Sequence, residues 1–242
     1  MQNIEGAKQV GNFVEPLIIT PQVTYSNKPH FDDYWDASIL LVCGGGSANL
    51  LCDEVWDNYD FVWSMNHFFR HRFFRDRAPD VCMMSSEIFE NSRKLWEFRE
   101  YLSSHGDKTM VGVEWSAKAK VCRNQLNSFY LAERKFYMHT ALYNQLGYGI
   151  RQIIFAGVLV ASRVDFIGMD GAKAILAKDH AFQPNKGILP SPGRITEGNA
   201  DEIFQKQYDE TWKYIRSNFP FMEINDLSGR ANKYHRVLYE NA

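Results

Sequence analysis

The sequence predicts an α/β fold, a parallel sheet with helices on both faces, and three observations predict it. Apolar runs of strand length recur from residue 38 onward, each followed by an amphipathic segment. The runs are close to continuously apolar, as strands covered on both faces must be. The first of them ends directly in Gly44-Gly45-Gly46-Ser47, a turn chemistry suited to a strand that hands over to a helix.

The elements follow in order. Residues 1–35 carry Pro16, Pro21 and Pro29 without sustained periodicity and read as an N-terminal arm packed across the domain, with a short strand at Leu17-Ile18-Ile19. The domain proper is expected over 36–242. Ile39-Leu40-Leu41-Val42-Cys43 is its first strand, with a helix over 48–56. A second strand over 60–65 ends at Asn66, and a third spans 79–84. A helix over 87–102 places Ile88, Leu95, Trp96 and Phe98 at apolar positions. A short strand over 110–113 follows. Two helices, 128–145 and 150–161, are divided by Gly147-Tyr148-Gly149. The run 163–169 is a buried strand closing on Asp170-Gly171. Residues 172–198 hold Pro190, Pro192 and little periodicity, which marks a long lid-like loop. Asn199 caps a helix to residue 218 whose stripe is Ile203, Tyr208, Trp212 and Ile215, and the last strand spans 221–224.

Composition narrows the function classes. The chain has 242 residues, 45% of them hydrophobic, enough for one large domain with an extension. Its formal charge of −2 gives no excess of Lys and Arg for salt-sensitive phosphate binding, so a nucleic-acid partner is not expected. No run approaches the roughly 20 apolar residues that span a bilayer, and the start Met1-Gln2-Asn3-Ile4-Glu5-Gly6 lacks a secretory signal, so the expected compartment is the cytoplasm. Cys43, Cys52, Cys82 and Cys122 show no C-x-x-C pairing and read as reduced, mostly buried thiols. Aromatic residues make up 14% of the chain, which excludes a disordered one.

Several motifs can carry chemistry. A glycine turn between strand and helix gathers free backbone N–H groups at one point, where they attract phosphate or carboxylate; the plain alternative is a tight turn with no ligand. Its spacing matches neither G-x-G-x-x-G nor a P-loop. Asn66, at the next strand end, is placed to read a ribose or a base edge, or simply to form a turn. Residues 68–77 interleave aromatics with Arg70, Arg72, Arg75 and Arg77; this can stack bases or hold anionic glycans and lipid head groups, while a short amphipathic helix packed on the sheet accounts for it as well. Gly147-Tyr148-Gly149 opens a second helix toward the same end of the sheet or ends the preceding one. Asp170 stands where α/β proteins place functional carboxylates, and Asp179-His180 lies on the long loop with an imidazole able to act as a general base. His235 and Arg236 are further candidates.

In their order along the chain, Cys43-Gly44-Gly45-Gly46-Ser47, Trp63-Ser64-Met65-Asn66-His67-Phe68, Gly147-Tyr148-Gly149 and Val164-Asp165-Phe166-Ile167-Gly168-Met169-Asp170 resemble the bacterial sialyltransferases that use CMP-sialic acid in one Rossmann-like domain. They also resemble a wider group from polysaccharide clusters, related to an archaeal hydroxymethylpterin pyrophosphokinase. That group's Asp-His-x-Phe motif is matched by Asp179-His180-Ala181-Phe182, and its C-terminal turn and Arg-Val by residues 224–229 and Arg236-Val237. The resemblance covers about residues 38–238.

The resemblance implies a Rossmann-like domain in which Gly44, Gly45, Gly46 and Ser47 approach the nucleotide phosphate and Asn66 contacts the ribose or donor sugar. Gly147 and Gly149 would line the base or phosphate pocket, and Gly168 with Asp170 the cytidine. The chain departs in having Gly147-Tyr148 in place of a Thr-Ser pair, and Arg194 and Ile195 near the position of the family's catalytic His. His180 would serve as base if its loop folds inward. The expected activity is glycosyl transfer from a CMP- or other nucleotide-activated donor to a glycan acceptor, with no cofactor required. The alternatives are a pyrophosphokinase-like transferase using ATP and Mg²⁺, with Asp170 or Asp179 as ligand, and a non-catalytic nucleotide- or glycan-binding module. An ordinary dinucleotide oxidoreductase is disfavoured by the missing G-x-G-x-x-G.

Overall fold

The computed structural model describes residues 31–114, 127–138, 147–171, 179–184, 196, 198–229 and 232–239, with the backbone of 9–10, 13–14 and 25–27. The fold is α/β and Rossmann-like. Among the described residues its main sheet has eight strands, β3 (Tyr25–Asn27), β4 (Ser38–Val42), β5 (Phe61–Met65), β6 (Val81–Met84), β7 (Met110–Glu114), β8 (Lys135–Met138), β9 (Arg163–Ile167) and β10 (Glu223–Asp226). The spatial order is β10-β9-β4-β5-β6-β7-β8-β3, parallel except for β3, which closes one edge antiparallel to β8. Ahead of them β1 (Gln9–Val10) and β2 (Phe13–Val14) pair antiparallel with each other.

Strand residues alternate between two apolar layers, as the period of two requires. Ile39, Leu41, Trp63, Met83, Phe136 and Phe166 meet the layer that contains α4 (Tyr148–Val158), α5 (Ala200–Asn218) and α6 (Arg236–Tyr239). Leu40, Val42, Val62, Cys82, Val111 and Ile167 meet the opposite layer, which draws on Trp56 of α1 (Asp53–Trp56), Ile88 of α2 (Ser86–Glu90), and Phe98 and Leu102 of α3 (Ser92–His105). Among the described residues no helix is long and apolar enough to cross a membrane. Phe31, within the N-terminal arm, packs edge-on against Phe136 and Phe155, so that end of the arm is part of the core.

Several elements differ from the sequence reading. The helix expected over 48–56 is replaced by a 3-10 turn at Gly46–Leu50, an extended Cys52 and the single turn of α1. Ala48 N–H and Leu51 N–H bond three residues back, to the Gly45 and Ala48 carbonyls, the closure of a 3-10 turn. In the stretch read as a helix over 128–145 lies β8. Phe136 and Met138 enter one layer and Tyr137 the other, and pairing to β7 and β3 on both edges outweighs local helical spacing.

The helix expected over 87–102 breaks at Asn91, whose side chain accepts from Lys94 N–H and so starts α3 afresh. Trp96, read as a core position, is 61% exposed on α3. Leu17-Ile18-Ile19, Cys122 and most of the loop over 172–198 lie outside the described residues. Cys43, Cys52 and Cys82 are free thiols, with Cys43 and Cys82 buried.

Candidate functional site

Strand order reverses at β4. The chain runs outward through β5 to β8, then returns to place β9 and β10 on the other side, so the ends of β4 and β9 form the crevice at which open α/β sheets bind ligands. The two strand ends are laced together beyond the sheet. Cys43 N–H donates to Ile167 O at 2.8 Å, and Gly45 N–H donates to Gly168 O at 2.7 Å.

Ser47 ties the turns across 121 to 123 residues of sequence. Its N–H donates to Asp170 Oδ2 at 2.8 Å, its hydroxyl donates to Asp170 Oδ1, and its Oγ accepts Gly168 N–H at 2.9 Å. Ser47 is buried, so these bonds are shielded from competing water. A side chain at residue 45 would place its Cβ 2.5 Å from Asp170 Oδ2 and 2.7 Å from Gly168 O, which only glycine avoids. Gly168 has φ +83°, a left-handed backbone that L side chains rarely adopt.

The described part of the long loop folds onto this turn. Ala181 N–H donates to Gly44 O at 2.8 Å, and Gly45 and His180 form an antiparallel bridge. The His180 ring lies against Gly44 and the Asp179 carboxylate against Gly46. Phe182 is buried beside His71 and Phe74 and anchors the segment. His180 Nδ1 accepts from Gln183 N–H at 3.1 Å, so a neutral ring carries its proton on Nε2. In this arrangement His180 presents a donor, and it acts as a base at Nε2 only when the bond to Gln183 N–H opens.

The other expected site residues are placed as follows. Asn66 takes φ +49°, and its Oδ1 accepts Ser85 N–H at 2.8 Å, which fixes the ends of β5 and β6. Gly147 is the N-cap residue of α4 with open space beside it, and no acidic side chain occupies the first turn. Gly149 brings that helix start against Cys43 Sγ and Met169 Sδ, so the glycines at 45, 149 and 168 converge around Cys43. Burial, with Asp170 and Asp226 nearby, pushes the Cys43 thiol well above its usual range and makes it an unreactive thiol.

His235 lies beneath the site. Its Nε2 bonds Met169 O at 2.9 Å, and its Nδ1 accepts from Trp212 Nε1 at 3.2 Å. Burial lowers its pKa, in keeping with a neutral ring. Arg236 reaches Asp209, 3.3 Å away on α5. In residues 68–77, Phe68, Phe69 and Phe74 are core, and Arg77 stacks over Trp56 at 4.7 Å while pairing with Asp53 and Asp57. The aromatic half of that motif is packing.

Sequence reasoning missed a run of polar side chains beside the crevice. Gln183 Nε2 lies 3.1 Å from His67 Nε2, which lies 4.0 Å from Glu87 Oε1, and Glu87 pairs with Lys94. These residues come from four separate segments, and nothing in their spacing signals the cluster. Among the described residues no three His, Cys, Asp or Glu side chains form a metal-binding group, while Asp170 and Asp179 flank the glycine turn. No protein-family model matches the chain, and no curated protein matches it.

Proposed function

We propose that the chain is a nucleotide-dependent transferase that moves a sugar from a nucleotide-activated donor, CMP-linked by preference, onto a glycan acceptor. The observation that carries this reading is the convergence of Gly44–Ser47, Gly168–Asp170 and the start of α4 at the point where strand order reverses. Glycines in the turn let Asp170, Asp179 and His180 approach the backbone closely, and the open space beside Gly147, at the positive end of an 11-residue helix, is where a phosphate would sit. The acceptor hydroxyl would attack the sugar carbon while the bond to the nucleotide phosphate breaks, inverting that carbon. His180 would take the hydroxyl proton after release of Gln183 N–H, and the amides and α4 would stabilise the leaving phosphate.

A second reading is favoured by a separate observation. Asp170 and Asp179 place two carboxylates against the turn, a donor set that fits Mg²⁺ held by one or two carboxylates and substrate phosphates. Bound there, Mg²⁺ would supply charge neutralisation for pyrophosphoryl transfer from ATP.

Calorimetry against CMP, CDP, ATP and NAD separates the readings. The first expects CMP or CDP to bind with EDTA present, and His180→Ala to abolish transfer while leaving that binding intact. Binding of ATP that requires Mg²⁺ moves the assignment to pyrophosphoryl transfer. Binding without turnover, unchanged in His180→Ala, marks a binding module, and no nucleotide binding at all refutes a nucleotide site.

A further inference from the structure

We infer a second binding site, for an acidic oligosaccharide, in the groove between the 3-10 turns after β5 and the first turns of α3. A cavity of about 610 Å³ is lined there by Phe69, Arg70, Arg75, Arg93, Lys94 and Glu97, with Asn91 at its edge. That volume lies within the range of small-molecule sites, roughly 300–1,000 Å³. Four cations face a single lining carboxylate. Glu97 is shared by Arg70 and Arg93, and Lys94 pairs with Glu87. Among the described residues no carboxylate pairs with Arg75. The lining therefore keeps a positive excess after its internal pairs are made, in a chain whose overall charge is −2. Arginine forks match carboxylate, sulfate and phosphate oxygens bidentately, which makes an oxyanion the fitting ligand group.

Trp96 stands outside the cavity lining and would meet a ligand long enough to run past Arg93. It follows Arg93 by three positions on α3, places a large apolar ring on the same helix surface, and is 61% exposed. An indole face carries partial negative charge and attracts the positively polarised C–H edges of a pyranose ring. A cationic groove with an exposed indole one helical turn beyond Arg93 thus suits an extended sugar bearing acidic groups. Single-stranded nucleic acid offers phosphates and stacking too, and the oligothymidylate arm of the test separates it from an acidic sugar. The groove is joined to the crevice through Lys94, Glu87, His67, Gln183 and His180, each in polar contact with the next.

The site goes beyond the transferase reading and is tested without donor or turnover, so failure here leaves the crevice assignment standing. The full chain is titrated with a galacturonic acid hexamer, with maltohexaose as its neutral counterpart, and with inorganic tripolyphosphate and an eight-residue oligothymidylate. Expected is binding of the galacturonate hexamer, weakened about tenfold or more between 20 and 200 mM salt as exposed charges are screened, and no binding of maltohexaose. Arg75→Ala with Arg93→Ala lowers affinity about tenfold, and Trp96→Ala about threefold to tenfold. All three side chains are exposed, and unchanged thermal melts of the variants show that the fold is kept. Equal binding of maltohexaose, tighter binding of tripolyphosphate or oligothymidylate that is indifferent to Trp96→Ala, or no binding of the hexamer at low salt overturns the proposal.

Discussion

The bond set around Ser47 makes a double-mutant cycle with Asp170 the most direct test of how the site is built. Ser47→Ala removes a hydroxyl that donates to the Asp170 carboxylate and accepts Gly168 N–H at 2.9 Å. A hydrogen bond to a charged group contributes about 1.5–3 kcal/mol and a neutral one about 1 kcal/mol, so a loss of roughly 2.5–4 kcal/mol is expected. Asp170→Ala leaves both the Ser47 N–H and its hydroxyl without their acceptor beneath a buried surface, a loss of about 2–4 kcal/mol. The bond between the two side chains is counted in both single variants. The double variant should therefore fall short of additivity by about 1.5 kcal/mol, within the range seen for contacting pairs. Urea unfolding followed by the fluorescence of the six tryptophans reads the effect, with m-values checked for constancy. Additivity within about 0.4 kcal/mol would mean that the two residues act independently and would refute the linkage.

Three further outcomes follow from the same region. Burial holds the His235 pKa below its unfolded value of about 6.5, so the unfolded chain gains a proton that the folded chain refuses; stability is complete above pH 6.5 and declines as pH falls below it, by up to about 1.4 kcal/mol per pH unit. His235→Gln keeps an acceptor for Trp212 and a donor for Met169 O, and should flatten that decline in urea titrations at pH 5 to 7.5, whereas an unchanged slope would assign it elsewhere. Gly168→Ala must hold an alanine at φ +83° with its Cβ 2.7 Å from the Cys43 carbonyl carbon, and should cost roughly 3 kcal/mol; a thermal melt within 2 °C of the parent would contradict this. Asp170→Asn should bind CMP at least about tenfold more tightly in EDTA, because a like charge within a few ångströms of a phosphate costs on the order of 1–4 kcal/mol; weaker binding would instead give Asp170 a ligand contact of its own.

The central strands were legible because they are buried on both faces, and continuous apolar runs such as Ile39-Leu40-Leu41-Val42 leave little else to do. The strand-end glycines were legible for a related reason, since a close backbone approach excludes every other residue. What eluded the sequence depends on partners far away. Residues 135–138 become a strand only because β7 and β3 are there to pair with them. The helix expected after Gly46 gives way to a 3-10 turn closed by Ala48 and Leu51, while Asp170, 123 residues from Ser47, holds the Ser47 amide. Trp96 has the spacing of a core residue, yet α3 restarts at Asn91 and carries that ring to the surface. Of the candidate site, the backbone elements were readable and the side-chain network was not. His67, Glu87 and Gln183 meet only in three dimensions.

That distinction bears on the chemistry. A glycine turn read in isolation offers its amides to an anion, and the folded chain has already placed one there, the Asp170 carboxylate on Ser47 N–H. Such a carboxylate holds the amide and hydroxyl of Ser47 in the orientation that a phosphate oxygen would need, so part of the ordering cost of binding is met during folding. It also competes for the same donors, and Asp179 adds a second negative charge against Gly46. On the proposed reading, a nucleotide phosphate would enter in one of two ways. It can displace Asp170 and take over its bonds, which favours a metal-independent site, or it can bring a cation that Asp170 and Asp179 share. Either route makes these two carboxylates, more than any lysine or arginine, the control on what the proposed site accepts.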